Sequence, residues 1–276
     1  MTYEQYSPTG FRVLPPVVKN LLIINVLIYL AQVTMENLWQ IDAADYLGLH
    51  YFGSERFKVY QFITYMFLHG SFSHVFLNMF ALWMFGYLLE NVWGPKRFLT
   101  FYMVTGIGAA AVQMLVSWWD ISAIQSAADA YALQPSLDSF IHFTRTHFPV
   151  YYEQSDQIRG LITQWSQNPG GTEYASTSLK YVHDLLNLRM DVPTVGASGA
   201  VYGILLAFGM LFPNTLVYIY FLFPIKAKWF VLIFGAIELA AGISSNPTDN
   251  VAHFAHLGGM IFGFLMILYW RKKARY

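Results

Sequence analysis

Gly196-Ala197-Ser198-Gly199-Ala200-Val201-Tyr202-Gly203 opens an apolar run that stops before Pro213. The serine stands between small residues at a helix start, where a large substrate can approach it. Amides of a first helical turn have no partner within the helix and can face a developing oxyanion. Gly199, Gly203 and Ala207 recur every four residues. They lay a smooth stripe along one face, against which another helix can pack closely. Ser198 also reads as one more small packing residue of a membrane helix.

A second stretch supplies a matching face. The run from Val251 to Trp270 carries His253 and His256, followed by Gly258, Gly259 and Gly263. His256, Gly259 and Gly263 are three and four residues apart, so they share a helix face. Two glycine stripes in close approach would bring the imidazole within hydrogen-bond reach of Ser198, the geometry that activates a serine. An ionisable side chain inside a membrane span is a functional-site hypothesis by default, although a lone histidine there can also be structural. Tyr202, one turn after Ser198, can pack against the His256 ring. No acid clearly orients that ring; Asp249 lies seven residues before it in a loop. The expected unit is therefore a Ser–His dyad without a third member. His74 and Asn78, four residues apart, point the same way from another span and can both donate to an oxyanion. They also read as an ordinary pair of helix–helix hydrogen bonds.

Composition sets the solvent. Of 276 residues, 56% are hydrophobic, 18% aromatic and only 12% charged, against about 25% charged in soluble domains. The chain lacks the charge to cover a soluble surface of its size. Its formal net charge is zero, which gives no global attraction to nucleic acid. It has no cysteine, so disulfides, thiolate catalysis and cysteine metal sites are excluded.

A spanning helix needs about 20 mainly apolar residues. Candidate spans run over about 17–33, 74–89, 98–118, 198–212, 229–243 and 251–270. Arg12, Lys19, Lys96, Arg97, Lys226, Lys228 and the tail Arg271, Lys272, Lys273 and Arg275 all flank these spans on one side. The positive-inside rule makes that side, with both termini, cytoplasmic. The first span has no small-residue cleavage site after it and is read as retained. Residues 36–73 mix Trp39, Tyr51 and Phe52 with charges and are placed at the membrane interface. Residues 119–191 hold eight acids against four bases and are read as an external insertion of short amphipathic helices, within a single membrane domain of 1–276. The expected fold class is an all-α membrane protein, a six-transmembrane-helix bundle with this mainly helical insertion between helices 3 and 4.

Other chemistries fit less well. His69, His74, His253 and His256 suggest a metal site, but no acid stands near them in sequence. Glu238, inside the fifth span, suggests a proton or cation pathway, but a single acid there is more often hydrogen-bonded to a neighbouring helix.

Three motifs in order, Gly196-Ala197-Ser198-Gly199, Ala255-His256-Leu257-Gly258-Gly259 with Gly263, and His74-x-x-x-Asn78, resemble the signature of rhomboid intramembrane proteases. Glu90-x-x-x-Gly94-x-x-Arg97-Phe98 resembles a further motif of that family. The resemblance covers about residues 15–270. It implies a serine endopeptidase acting on transmembrane protein substrates in the lipid bilayer, with no cofactor, no metal and no nucleic-acid partner. It implies Ser198 as nucleophile, His256 as base, and His74, Asn78 and the Ser198 amide as the oxyanion hole, with Gly199 and Tyr202 in support. A bacterial cytoplasmic (inner) membrane is the expected location. The alternative within the family is a non-catalytic relative that binds membrane clients; such relatives typically lack the serine or the histidine. The insertion before Ser198 departs from the simplest family members, and the resemblance is silent about its role.

Overall fold

The computed structural model describes residues 12–219, 222–244 and 251–273. Asp249, weighed above as a partner of His256, and Arg275 of the basic tail lie outside them. The chain runs through α1 (Pro16–Trp39), α2 (Ala44–Leu47), α3 (Gln61–Thr64) with a 3-10 turn (Tyr65–Phe67), α4 (Phe72–Trp93) and α5 (Pro95–Leu133). Then come α6 (Leu137–His147), α7 (Pro149–Gln154), α8 (Asp156–Gln167), α9 (Glu173–Met190) and α10 (Ser198–Leu211). A hairpin of β1 (Leu216–Ile219) and β2 (Phe223–Lys226) leads to α11 (Ala227–Ile243) and α12 (His253–Lys273).

Among the described residues, four helices are long and apolar enough to cross a membrane: α1, α4, α5 and α12. α10 and α11 are shorter, at 14 and 17 residues. The described residues are mainly helical, as expected of an all-α chain, with this one short hairpin beside the helices. Leu216 pairs with Lys226 and Val217 with Ile225 in an antiparallel ladder. β-branched and aromatic residues between Pro213 and Pro224 favour extended backbone over another helical turn.

One boundary is corrected, that of α5. It does not end near Trp118 but continues as one helix of 39 residues to Leu133. At 1.5 Å per residue it is about 58 Å long, well beyond a ~30 Å hydrocarbon core. Its two halves serve two cores. Phe98, Phe101, Tyr102, Ala109 and Ala110 face the main bundle, whereas Ile121, Ile124, Ala128 and Tyr131 face a second cluster built with α6, α8 and α9. Phe140, Phe143, Phe148, Ile158, Leu161, Trp165, Val182, Leu185 and Leu186 complete that cluster. The insertion therefore has its own apolar interior. Trp165 is buried in it, while Trp118, Trp119 and Tyr151 are exposed.

The segment between α1 and α4 is held together by polar groups of its own and tied by its backbone to the chain that leads into α10. Gln61, fully buried, accepts from the His50 and Lys58 amides and donates to the Tyr46 and Arg56 carbonyls. Leu49 and Thr194 exchange two backbone hydrogen bonds of 2.9 Å, and Gly196 N donates to the Tyr65 carbonyl at 2.9 Å. This segment thus fixes the strand of chain that enters α10.

Glu90-x-x-x-Gly94-x-x-Arg97 has a local explanation. Glu90, buried on α4, accepts from the Val17 and Val18 amides at 2.9 and 2.8 Å. It thereby pairs donors that the first turn of α1 leaves without helical partners. Gly94 turns the chain from α4 to α5 at φ +78°, a conformation suited to glycine. Arg97 lies 4.0 Å over the Trp270 ring, joining the start of α5 to the end of α12 by a cation–π contact of about 0.5–2 kcal/mol.

Candidate active site

The site is assembled where α10, α11 and α12 meet under α4. α10 packs chiefly against α12 and α5. The two glycine stripes meet closely there. A Cβ placed on Gly259 would lie 1.8 Å from the Gly199 carbonyl oxygen, and one on Gly263 would lie 3.3 Å from the Gly203 oxygen. Gly199 faces α5 as well, since a Cβ there would lie 2.4 Å from the Ala109 Cβ. Small residues on three helices let the backbones approach, as membrane helix contacts require.

That approach sets the polar groups. His256 Nε2 lies 2.8 Å from Ser198 Oγ. On the other side of the ring, His256 Nδ1 lies 2.8 Å from Glu238 Oε2. His253 Nδ1 reaches the same oxygen at 2.6 Å, and the Tyr202 hydroxyl donates to Oε1. The Tyr202 ring lies on the His256 ring, with centroids 4.2 Å apart and planes 7° apart.

Glu238 corrects the expectation that no acid orients His256. The sequence suggests a hydrogen bond between Glu238 and a neighbouring helix but not that His256 is its partner. Eighteen residues separate it from His256, and nothing local tells which neighbour an α11 side chain faces. The signal was the acid itself: burying a carboxylate is costly unless donors satisfy it. The described residues include one group able to supply three metal ligands, Glu238, His253 and His256. Separations of 2.6 and 2.8 Å to one shared oxygen are hydrogen-bond lengths, and each ring has its Nδ1 turned to that oxygen.

The oxyanion candidates are placed unequally. The first α10 amide bonded back along the helix is that of Val201, to the Ala197 carbonyl at 3.0 Å; the amides of Ser198, Gly199 and Ala200 precede it. The His74 ring lies against Gly196, where a Cβ would be 2.8 Å from its Nε2 and 3.5 Å from Ser198 Oγ. Gly196 has φ +130°, so both backbone and space demand glycine there. Gly70 N donates to His74 Nδ1 at 3.4 Å, which leaves Nε2 as the ring's donor. Asn78 is buried and donates to the His74 carbonyl at 3.1 Å within its own helix. It makes no hydrogen bond to Ser198 or His256.

The family model for the rhomboid domain matches residues 56–122 and 171–273. The chain belongs to the rhomboid family. An uncharacterized mitochondrial rhomboid protein of Schizosaccharomyces pombe is 35% identical over 88 residues, covering 30% of this chain and 22% of that one. Rhomboid protein 1, mitochondrial, of Saccharomyces cerevisiae is 23% identical over 197 residues, 71% of this chain and 38% of that one. This chain spans less than half the length of these curated relatives. Both are named mitochondrial, which lends no support to a bacterial cytoplasmic membrane. Membership of the rhomboid family makes this an integral, multi-pass membrane protein. The matched residues leave out 123–170, most of the insertion.

Proposed function

We propose that this rhomboid protein is an intramembrane serine endopeptidase that cleaves peptide bonds in or near transmembrane segments of other membrane proteins. The observation that carries the reading is the 2.8 Å separation of Ser198 Oγ and His256 Nε2. His256 takes the serine proton as Oγ attacks the scissile carbonyl and returns it to the leaving amine. Water then hydrolyses the acyl-enzyme by the same route. The amides that open α10, with His74 Nε2, are the donors for the tetrahedral oxyanion. No metal or cofactor takes part in this scheme.

The proposed topology has six spans, α1, α4, α5, α10, α11 and α12, with both termini cytoplasmic and the insertion external. α10 is about 21 Å long, short of a ~30 Å core. If its hairpin end meets the cytoplasmic surface, Ser198 lies below the outer surface. Irregular backbone at that depth is tolerated where it lines a water-filled cavity, and hydrolysis needs that water.

The test uses purified full-length protein in detergent with a transmembrane substrate and a fluorophosphonate probe. Wild type cleaves and is labelled, and Ser198→Ala loses both. His256→Ala lowers both by orders of magnitude. Labelling that survives Ser198→Ala would place the nucleophile elsewhere. Wild type that binds the substrate, neither cutting it nor reacting, would favour the client-binding alternative.

A further inference from the structure

We propose that Glu238 is a positioning residue of the catalytic centre, one that fixes the tautomer and orientation of His256 and completes a Ser198–His256–Glu238 relay. The proposal rests on the protease reading and deepens it.

The argument starts from what a buried carboxylate accepts. Glu238 and His256 side chains are each 9% exposed. An ionised carboxylate is an acceptor only. Three groups converge on this one from two other helices: the Tyr202 hydroxyl on α10, and the Nδ1 atoms of His253 and His256 on α12. A hydroxyl and two imidazole N–H groups satisfy both oxygens. Each histidine is then protonated at Nδ1. For His256 the consequence is chemical, because its Nε2 is left as a lone pair facing Ser198 Oγ at 2.8 Å. That is the tautomer a general base needs. The opposite tautomer would put a hydrogen against the serine oxygen and two acceptors face to face on the Glu238 side.

The same geometry bears on the transition state. As Ser198 gives up its proton, His256 becomes an imidazolium whose Nδ1–H already points at a carboxylate in a site of low polarity. A charge-assisted bond there is stronger than its neutral ground-state counterpart. Glu238 also holds Tyr202, whose ring lies flat on His256. The imidazole is thus fixed in its plane by Glu238 and normal to its plane by Tyr202. A carboxylate that served only to tie helices would not need the base's own ring nitrogen among its donors.

The decisive measurement is a double-substitution cycle on Ser198 labelling, with steady-state cleavage alongside, using the full chain in detergent. Glu238→Gln keeps the volume but removes the charge and offers one acceptor oxygen to three donors. Its labelling rate and kcat should fall at least about 100-fold, by analogy with loss of the orienting carboxylate in other serine hydrolases, with KM unchanged within about twofold. Glu238→Asp restores the charge at shorter reach and should recover about tenfold of that loss. In a His256→Ala background, Glu238→Gln should cost nothing further, since residues acting as a unit are not additive. If Glu238→Gln fails to fold, Glu238→Asp carries the same cycle with a smaller loss. A full additional loss in the His256→Ala background would overturn the proposal, because Glu238 would then act on the fold rather than through His256. So would unchanged kcat, or a raised KM alone. Absence of labelling in wild type would instead remove the protease reading itself.

Discussion

Tyr202 and His256 lie face to face, with ring centroids 4.2 Å apart and planes 7° apart. The contact joins α10 to α12 one helical turn from Ser198. Tyr202 contributes in two separable ways, since its ring covers the imidazole and its hydroxyl donates to Glu238. An aromatic contact is worth about 0.5–1.5 kcal/mol and a hydrogen bond to a charged group about 1.5–3 kcal/mol. Tyr202→Phe, which keeps the ring, should lower kcat by about tenfold or somewhat more. Tyr202→Ala should lower it by several times that. Cleavage kinetics at saturating substrate check the order, and equal rates for the two variants would show that the ring holds nothing.

His74 and Asn78 share a helix face but not a role. The His74 ring lies against Gly196, beside Ser198, whereas the Asn78 amide is bonded to the His74 carbonyl. His74→Ala should therefore lower kcat by about 10-fold to 1000-fold, the upper figure being that for loss of one oxyanion donor. Asn78→Ala should cost less, through the set of its helix. Turnover measured for both decides the matter; a larger loss in Asn78→Ala would mean that its amide turns toward the substrate on binding.

Much of this arrangement was legible in the sequence because it is periodic. The stripes at Gly199 and Gly203 and at Gly259 and Gly263 announce a close helix contact by spacing alone, and Ser198 and His256 sit at the ends of those stripes. What stayed hidden is non-periodic. The facing of Glu238 depends on the rotation of α11 against two other helices, which a single acid in an apolar run does not encode. The continuation of α5 past Trp118 was obscured by rising polarity. Yet Ile121, Ile124, Ala128 and Tyr131, spaced three, four and three apart, carry a helical period that serves a second core. The β1–β2 hairpin is four residues per strand, too short for alternation to stand out.

The Gly199–Gly259 contact predicts an unusually severe effect from one methyl group. A Cβ on Gly259 would stand 1.8 Å from a backbone oxygen and 2.7 Å from the backbone carbon of Gly199. Neither can swing away as a side chain does, so Gly259→Ala must push α10 from α12. Overpacking in a tight core costs about 1–3 kcal/mol, sometimes more. Gly259→Ala should lower the thermal midpoint by several degrees and abolish cleavage by separating Ser198 from His256. Gly235→Ala is the control, since its Cβ would meet only the end of the Met260 side chain at 3.3 Å. Thermal unfolding and cleavage measured together test this; a fully active Gly259→Ala would show that the two stripes are not in contact.

The insertion can be removed along a seam the structure marks. Arg189 Nη2 lies 2.7 Å from Asp120 Oδ2 and closes its base, an exposed pair worth at most about 1 kcal/mol. Beyond that pair the segment has its own apolar interior. Toward Ser198, the chain is held by Ser54, whose hydroxyl donates to Asp191 at 2.5 Å, and by the Leu49–Thr194 bridge. Replacing residues 121–188 with a Gly/Ser linker therefore removes the second core whole and leaves the lead into α10 anchored. This deletion should keep the fluorophosphonate labelling of Ser198 within a fewfold of wild type. It should change which transmembrane substrates are cut, because the insertion rises from the helix beside the α10 entrance and is tied to the segment that carries the nucleophile. Comparing both proteins on a panel of transmembrane substrates decides the point. An identical cleavage profile would make the insertion a passive elaboration, and loss of labelling would make it a structural support of the Ser198 segment.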